Sequence, residues 1–507
     1  MKRSTSKRLL KVQPVGGQIG YNWQNNGWVF GVELDASGAV SDGTNTCLAA
    51  SGFIVSANCK AGPNVFATGT GRIGYAFGAL GHTLAYLKGG VAWQNNRGDV
   101  FNNFERGGPQ EKTHFEYGRV GGIIGLGVEQ ALTPAWSVKV EYDYLHFGGP
   151  SVATPPTVQN PPFAILPANT TGLSSDYHVG KIGLNYHFAA DPWAQSDAPL
   201  YAKVPAGTAP IAYTAGWSFE GGSRLWLSRG RFQFNNSAVR YGGLEDPNIL
   251  ISRITYHGLD GLSGEAFGRV DSPWGIFLKG TIGLGRFNKG NMNDEDWGLT
   301  GKTGPLSYVN TLSGQANGRF TYYTADAGYD FLRGANYKVG GFIGWTYYEQ
   351  SSDSRRCVQI ANPASPCLPP GDDRVIGSQN TQWNAPRLGL SAETMLTERW
   401  RLSTDVAYLP WTDFKGRDNH LLRQATTIVE QRGNGGGGVQ IEGVLSYFIT
   451  KNVSLGVGGR YWAMWTKTDS PWTCTGCAGP GIISPTQFSK FSMERWGTFF
   501  QASYRFD

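Results

Sequence analysis

Long apolar runs are missing from this chain. None of its 507 residues lie in a stretch approaching the roughly 18 apolar residues that a membrane-spanning helix needs. Charged residues are also scarce, at 16% against the roughly 25% of soluble domains, whereas aromatic residues reach 13% and glycine numbers 72. These features exclude a helical membrane protein and disfavour a soluble enzyme. They fit a transmembrane β-barrel, whose strands need an apolar side chain only at every second position.

Cysteine is also rare, and its six residues fall into three close pairs: Cys47 with Cys59, Cys357 with Cys367, and Cys474 with Cys477. Each pair lies in a segment rich in Gly, Pro, Ser or Asn, so we expect local disulfides formed in an oxidising compartment. Cys474-Thr-Gly-Cys477 has the spacing of half a zinc site, but no second Cys or His pair accompanies it. We therefore expect no metal.

The net charge of +6 is mild, and no run of Lys and Arg resembles a nucleic-acid-binding arm. We therefore expect no nucleic acid among the partners of this chain.

Apolar and polar side chains alternate in several segments, as in a strand with two different faces. Residues 136–144 read WSVKVEYDY, residues 181–188 read KIGLNYHF, and the same alternation recurs at 495–506. In a membrane barrel the apolar face contacts lipid and the backbone groups pair around the closed ring. We therefore expect the polar face to point into the lumen.

The second part of the chain predicts a ten-stranded barrel. Its strands are expected at 213–235, 248–270, 274–286, 316–332, 336–350, 380–396, 399–412, 426–448, 452–466 and 492–506. Tight turns follow the even-numbered strands, and mostly long loops follow the odd-numbered ones. This arrangement places both ends of the barrel in the periplasm and the long loops outside the cell.

The first part predicts seven similar strands, at 15–23, 27–36, 66–78, 82–95, 115–130, 134–147 and 177–188. An odd number would leave the first strand starting on the outer side. The opening residues MKRSTSKRLLK are also too charged for a signal peptide. We therefore expect an export signal and one further strand upstream of the sequence given.

The predicted organisation is all-β, with two transmembrane antiparallel barrels in tandem. Residues 1–188 form a barrel of the eight-stranded type that lacks its first strand, and residues 213–507 form the ten-stranded barrel. The segment between them, 189–212, is rich in Ala and Pro and is expected to be an extended periplasmic linker.

Residues 15–188 resemble the small opacity and porin-like surface proteins of Gram-negative bacteria. The resemblance is carried by GGQIGYNWQNNGWVFGVELD near the start of the segment and HVGKIGLNYHF at its end. It implies an eight-stranded fold and an outer-membrane location, and it says little about activity.

Residues 213–506 resemble the omptins, ten-stranded aspartate/histidine proteases of the outer membrane. The motifs are Asn291-Met-Asn-Asp294-Glu-Asp296-Trp297 after the third strand, Asp418-Asn-His420 after the seventh, and Ser252-Arg-Ile-Thr-Tyr256 in the second. The resemblance implies an endopeptidase with extracellular catalytic loops, acting on peptides or proteins at the cell surface. It implies no cofactor, while lipopolysaccharide is a possible activating lipid and, with outer-membrane lipid, an expected partner.

The resemblance assigns catalysis to Asp294, Asp296, Asp418 and His420, and the spacing permits these roles. Strands three and seven lie four apart in a ring of ten, so their outer ends can face each other across the mouth. Asp418 could orient His420, which would act as general base toward a water molecule. Asp294 would hold that water from the opposite wall, and Asp296 could share a proton with Asp294.

Two departures from the omptin pattern bear on specificity. Omptins that cut between basic residues carry an acidic residue two positions before the D-x-H aspartate, where this chain has Gly416. The segment 228–233 offers no acid for a basic side chain either.

The omptin cluster that binds lipopolysaccharide is not evident at 345–349. The alternative function is a non-catalytic structural, adhesin or porin-like barrel whose loops bind partners without cutting them.

Overall fold

The structure is a computed structural model. It describes residues 14–39, 43–49, 56–77, 83–101, 112–131, 136–154, 157–158, 165–166, 169–172, 174–187, 216–237, 250–297, 308–334, 336–359, 367, 372–422, 427–467, 470–475 and 487–506. In these residues the regular structure is all strand. None of them forms a helix long and apolar enough to span a membrane.

The chain folds as two compact units whose sequences meet between Ala209 and Pro210. The linker predicted at 189–212 lies outside the described residues.

The first unit contains β1 (Pro14–Asn25), β2 (Trp28–Ala39), β3 (Gly43–Ala49), β4 (Ser56–Phe77), β5 (Thr83–Phe101), β6 (Lys112–Ala131), β7 (Trp136–Phe147), β8 (Ser151–Thr154), β9 (Thr157–Val158), β10 (Ile165–Leu166), β11 (Asn169–Gly172) and β12 (Ser175–Tyr186). Seven of them form one antiparallel sheet in the order β1-β2-β4-β5-β6-β7-β12, with β3 added beside β4. The seven predicted strands are therefore confirmed. The sheet curls until its end strands approach each other, since Gln18 of β1 hydrogen-bonds Asn185 of β12.

The inside of the first unit is charged and its outside is apolar. Lys88 is buried and its Nζ lies 2.7 Å from Glu141 and 3.2 Å from Glu33. On the other face, Val120 and Ile124 are 66% and 65% exposed. Ion pairs inside and aliphatic side chains outside are the arrangement of a strand barrel in lipid.

The second unit contains β13 (Ser218–Ser237), β14 (Leu250–Asp271), β15 (Ile276–Trp297), β16 (Tyr308–Arg333), β17 (Tyr337–Gln359), β18 (Val375–Met395), β19 (Trp400–Leu409), β20 (Asp413–His420), β21 (Thr427–Asn434), β22 (Gly437–Phe448), β23 (Val453–Trp465), β24 (Ser470–Thr475) and β25 (Gln487–Phe506). Neighbours pair in antiparallel fashion around the ring, and β13 pairs with β25 over its whole length, which closes the barrel. Counting β19–β20, β21–β22 and β23–β24 as interrupted single strands gives the ten that the sequence predicts.

The three interruptions occur where these strands lie side by side. Thr412, between β19 and β20, donates from its hydroxyl to the carbonyls of Gly435 and Trp465. Gly435 and Gly436, between β21 and β22, have φ of +86° and +92°, which glycine adopts without strain. We call residues 410–412, 435–436 and 466–467 the joint. Its described hydrogen bonds replace those that the strand ladders lose there.

Bulges interrupt the strand pairing at the same level, between Gly230 and Phe232 in β13 and between His257 and Gly261 in β14. Together with the joint, they divide the second barrel into two halves. The half nearer the tight turns, here the turn half, is apolar outside. Its exposed side chains include Leu225, Leu227, Ile276, Leu278, Ile282, Leu284, Ile343, Leu388, Leu390, Leu455, Val457 and Phe500. Aromatic residues flank this band near the turns: Trp217, Trp274, Phe331, Trp400 and Phe506. An apolar band bordered by aromatics is the membrane-spanning part of an outer-membrane barrel.

Inside the turn half, buried charges cross the bore in pairs. Arg460 of β23 contacts Glu265 of β14 at 2.6 Å, and Arg401 of β19 contacts Glu220 of β13. Arg387 of β18 contacts Asp326 of β16 at 2.7 Å. Here the polar face points into the lumen, as predicted.

The other half, here the loop half, reverses this polarity. Its interior is a cluster of buried apolar side chains that includes Phe232, Phe234, Ile254, Leu259, Phe287, Met292, Trp383, Phe414, Phe491 and Met493. Its outer surface carries charges, such as Arg229, which is 57% exposed, and Arg417, also 57% exposed. The prediction that the polar face points inward along every strand is therefore wrong for this half. The loop half stands outside the apolar band, where water favours the opposite arrangement.

The predicted loop boundaries also need correction. The third strand continues to Trp297 instead of ending at 286, and the seventh continues beyond the joint to His420. The bulges explain the difference, because the register of β14 against β15 shifts between His257 and Gly261. One extra residue moves the apolar set to the opposite face and hides the continuing strand from a search for regular alternation.

The cysteines are placed as follows. Cys357 and Cys367 form a disulfide with their Cα atoms 5.5 Å apart. Cys474 on β24 is also disulfide-bonded, and Cys477 lies outside the described residues. Cys47 and Cys59 lie on the paired strands β3 and β4, with Asn45 opposite Cys59.

Candidate active site

The two acidic residues of the first motif lie near the loop end of β15. Asp294 pairs with Ile254 of β14 and Thr311 of β16, and Asp296 pairs with Ser252. Paired residues share a face, and Ile254 belongs to the interior cluster, so both carboxylates are on the lumen face. The sequence places these residues on a loop, whereas the structure holds them on a hydrogen-bonded strand.

The second motif lies on β20, also on a strand and not on a loop. The ring Nε2 of His420 lies 3.1 Å from Oδ2 of Asp418. The Asp418 side chain is buried, and that of His420 is 28% exposed. An imidazole held by a buried carboxylate has a fixed orientation and tautomer.

Tyr256, the last residue of the motif that begins at Ser252, connects the two acidic motifs. It lies on β14, two residues beyond Ile254, and its side chain is fully buried. Burial and the carboxylates of Asp418 and Asp294 raise the pKa of the Tyr256 phenol above its ordinary value, while a hydrogen bond with Ser354 of β17 acts in the opposite direction. The negative charges of Asp418 and Asp294 therefore both act on this phenol, and its hydroxyl remains protonated at neutral pH.

Stacked aromatic rings support the site from below. Phe414, on the same face of β20 as Asp418, lies 4.3 Å from Phe491 and 4.5 Å from Trp383 between ring centroids. Phe232 lies between Phe414 and Tyr256, at 6.0 and 6.3 Å. Because these rings come from β13, β14, β18, β20 and β25, they fix the positions of the walls that carry the motifs.

The structure thus joins Asp418 to His420 directly, and it places Asp294 and Asp418 in the electrostatic environment of Tyr256. Asp294 and Asp296 share the lumen face of one strand. Among the described residues, no three His, Cys, Asp or Glu side chains converge in a way that could hold a metal ion.

Two families match this chain. Residues 10–188 match the outer membrane protein beta-barrel domain, and residues 272–469 match the omptin family. The 31 kDa outer-membrane immunogenic proteins of Brucella melitensis biotype 1 and Brucella suis biovar 1 are each 31% identical to this chain over 180 residues. That match covers 34% of this chain and 66% of each relative, so the chain spans just under two thirds of their length.

Two solved structures are similar in part. The outer membrane protease OmpT from Escherichia coli is 14% identical, with a TM-score of 0.45, over 57% of this chain and 97% of that chain. The siderophore receptor PiuA from Acinetobacter baumannii is 10% identical, with a TM-score of 0.21, over 98% of this chain and 82% of that chain. Neither similarity is close enough to carry a conclusion.

The family matches and the two barrels together define the class: this is a bacterial outer-membrane protein built from two β-barrel domains in tandem. Its first domain is an outer membrane protein beta-barrel domain, and its second is an omptin domain.

Proposed function

We propose that the second barrel is a surface endopeptidase that hydrolyses peptide bonds with a water molecule activated between two groups of side chains. Asp418 and His420 form one group, and Asp294 and Asp296 form the other. The observation that supports this proposal best is the hydrogen bond of 3.1 Å between His420 and a buried Asp418 at the loop end of the barrel. In the proposed mechanism neither a metal ion nor a covalent intermediate takes part.

In this mechanism His420 removes a proton from water while Asp418 stabilises the imidazolium that forms. The hydroxide attacks the carbonyl carbon of the scissile bond, and the C–N bond breaks after the leaving nitrogen has received a proton from His420. Asp294 accepts a hydrogen bond from the attacking water, and Asp296 shares a proton with Asp294. Tyr256, which stays protonated, lies within the electrostatic influence of both Asp294 and Asp418.

Substrates are proposed to be peptides or proteins at the cell surface, because the catalytic strands end beside the long loops. Lipopolysaccharide is proposed as an activating lipid on the outer surface. There Tyr347 donates to Glu349 at 2.6 Å, and its ring stacks on Tyr323 at 5.1 Å between centroids. Arg319, which donates to Ser351, lies beside them and could bind a phosphate group.

The test uses the full chain, refolded in detergent with and without lipopolysaccharide and offered a peptide library. We expect cleavage that falls at least about a hundredfold in His420→Ala, since a general base typically contributes 10²–10⁴ in rate. His257→Ala is the matched control, because His257 lies on the outer face of the same half, where it contacts Asn293 at 2.7 Å. Its activity should equal that of the wild type.

The competing proposal is a structural, adhesive or porin-like protein without catalysis. Correctly folded wild type that cuts no peptide at any pH, with or without lipopolysaccharide, would support this alternative. Equal cleavage by wild type and His420→Ala would instead point to a contaminating protease.

A further inference from the structure

A pair of buried amides lies next to Asp418 on the lumen face. Gln379 of β18 is directly opposite Asp418 of β20, and Gln431 of β21 is directly opposite Gly416, two residues from Asp418. Gln379 is 2% exposed and Gln431 is completely buried. Gln379 therefore lies beside Asp418, and Gln431 lies one step further from the loop end, because side chains two residues apart on a strand share a face about 7 Å apart.

The two amides satisfy only part of their hydrogen-bonding capacity. Nε2 of Gln379 donates to Oε1 of Gln431 at 3.0 Å and to the carbonyl of Asn380 at 3.1 Å. This double donation fixes which end of each amide is nitrogen. Among the described residues, Oε1 of Gln379 and Nε2 of Gln431 have no hydrogen-bond partner. The pair therefore presents one acceptor and one donor.

Glycine at position 416 creates the room in which this pair lies. A Cβ atom there would come within 2.3 Å of Oε1 of Gln431 and 2.8 Å of the Phe414 ring. Any larger residue would displace the Gln431 amide. A neutral amide thus occupies the space beside Asp418 that a side chain at 416 would otherwise fill.

We infer that Gln379 and Gln431 form a specificity subsite for an uncharged side chain with both a donor and an acceptor, above all the carboxamide of glutamine or asparagine, next to the scissile bond. This inference rests on the proposed proteolytic function. The substrate oxygen accepts from Nε2 of Gln431, and the substrate nitrogen donates to Oε1 of Gln379. Both amides are then satisfied.

Charged side chains match this pair poorly. A lysine or arginine could donate to Gln379 but would direct another donor at Nε2 of Gln431. A carboxylate could accept from Gln431 but would face Oε1 of Gln379, and Asp418 would repel it. A buried polar group left unpaired opposes binding, so only a group with both functions satisfies the subsite.

The experiment measures kcat/KM of the refolded full chain on peptides that differ only at one residue flanking the scissile bond. That residue is Gln, Asn, Glu, Leu, Lys or Arg, placed in turn on each side of the bond. We expect the wild type to prefer Gln or Asn over the other four by about 10- to 100-fold on one side, because a buried donor or acceptor left unpaired weakens binding by about that factor.

Three variants sharpen the test. Gln431→Glu should shift the preference toward Lys and Arg, since a buried carboxylate selects a cation. Gln431→Met, nearly equal in volume and without a donor, should reduce the preference for Gln over Leu to within about threefold. The control is Gln440→Met, a buried amide of the turn half that donates to Thr346. It should leave the preference unchanged.

The results of this experiment distinguish a failure of the proposed subsite from a failure of the proposed protease activity. A wild type that cuts peptides in a His420-dependent manner but prefers Lys, Arg or Leu overturns the subsite and leaves the protease proposal intact. A wild type that cuts nothing overturns the protease proposal itself. The wild-type profile decides the question even if a Gln431 variant does not fold, and cleavage by Gln431→Met with unchanged selectivity also counts against the subsite.

Discussion

The turn half and the loop half of the second barrel use the same alternation of apolar and polar residues with opposite orientation. In the turn half, Ile343 faces outward and is 65% exposed, while Arg460 is buried inside. In the loop half, Phe414 is buried inside, while Arg417 faces outward. One continuous barrel is thus built for lipid at one end and for water at the other.

This difference shows that the surroundings decide which face turns inward. Lipid contact favours apolar side chains outside, so the polar face of each membrane strand turns inward and must be neutralised by ion pairs. Where water surrounds the barrel, the apolar face packs inside as in a soluble protein. The bulges near Gly258 and Gly290 allow the exchange, because one extra residue moves the alternation to the other face.

The largest expected effect comes from breaking an ion network inside the turn half. Glu265 accepts from both Arg224 and Arg460, at 2.8 and 2.6 Å. Glu265→Ala leaves two buried guanidinium groups with less compensating charge, so we expect a loss of about 3–5 kcal/mol in the free energy of unfolding. Urea titration of the refolded protein in lipid vesicles measures this loss. A change below 1 kcal/mol would contradict the role given to the interior charges.

A charge placed on the outside tests the boundary between the halves. Ile343 and Val358 both lie on β17, 65% and 58% exposed. Ile343→Lys puts an ammonium group in the lipid band, and we expect a cost of about 2–4 kcal/mol. Val358→Lys, outside the band, should change stability by less than about 0.5 kcal/mol. Equal costs in the same vesicle titration would show that the lipid band extends along the whole of β17.

The smallest of the three effects is expected at the joint. Gly436 has φ of +92°, and a Cβ atom there would lie 2.1 Å from the carbonyl oxygen of Trp465. Gly436→Ala should therefore cost about 1–3 kcal/mol and loosen the loop half more than the turn half. Gly264→Ala is the control, because open space surrounds that position. Limited proteolysis and hydrogen exchange would report where the loosening occurs.

The sequence predicts the number of strands and the order of tight turns and long loops correctly, because alternation is regular in the membrane strands. It misses the extension of β15 from 286 to Trp297, since the bulge changes the phase there. It also cannot tell which half has its polar face inward, because alternation looks the same in either orientation. The alternation within a strand does not show whether lipid or water surrounds that strand.

The candidate site shows a similar division. The motifs around Asp294 and Asp418 are visible as short stretches of sequence, and the spacing of Asp418 and His420 permits the hydrogen bond that the structure shows. The position of Tyr256 between the two motifs and the pairing of Gln379 with Gln431 become visible only when β14, β18 and β21 are brought around the lumen. Buried Gln residues carry no local signal, and the two amides are 52 residues apart in the sequence.

The salt bridges of the turn half also bear on permeability. Arg269 reaches Asp330 and Glu393 at 3.1 and 3.5 Å, and Lys279 reaches Asp405 from the other side of the bore. A ten-stranded cylinder is narrow enough for such side chains to meet across it. Ions and small solutes would have to separate these pairs to pass, so the second barrel should show no steady conductance in a planar bilayer. A cell could therefore display its loop half to the surroundings without opening a leak for nutrients or toxins.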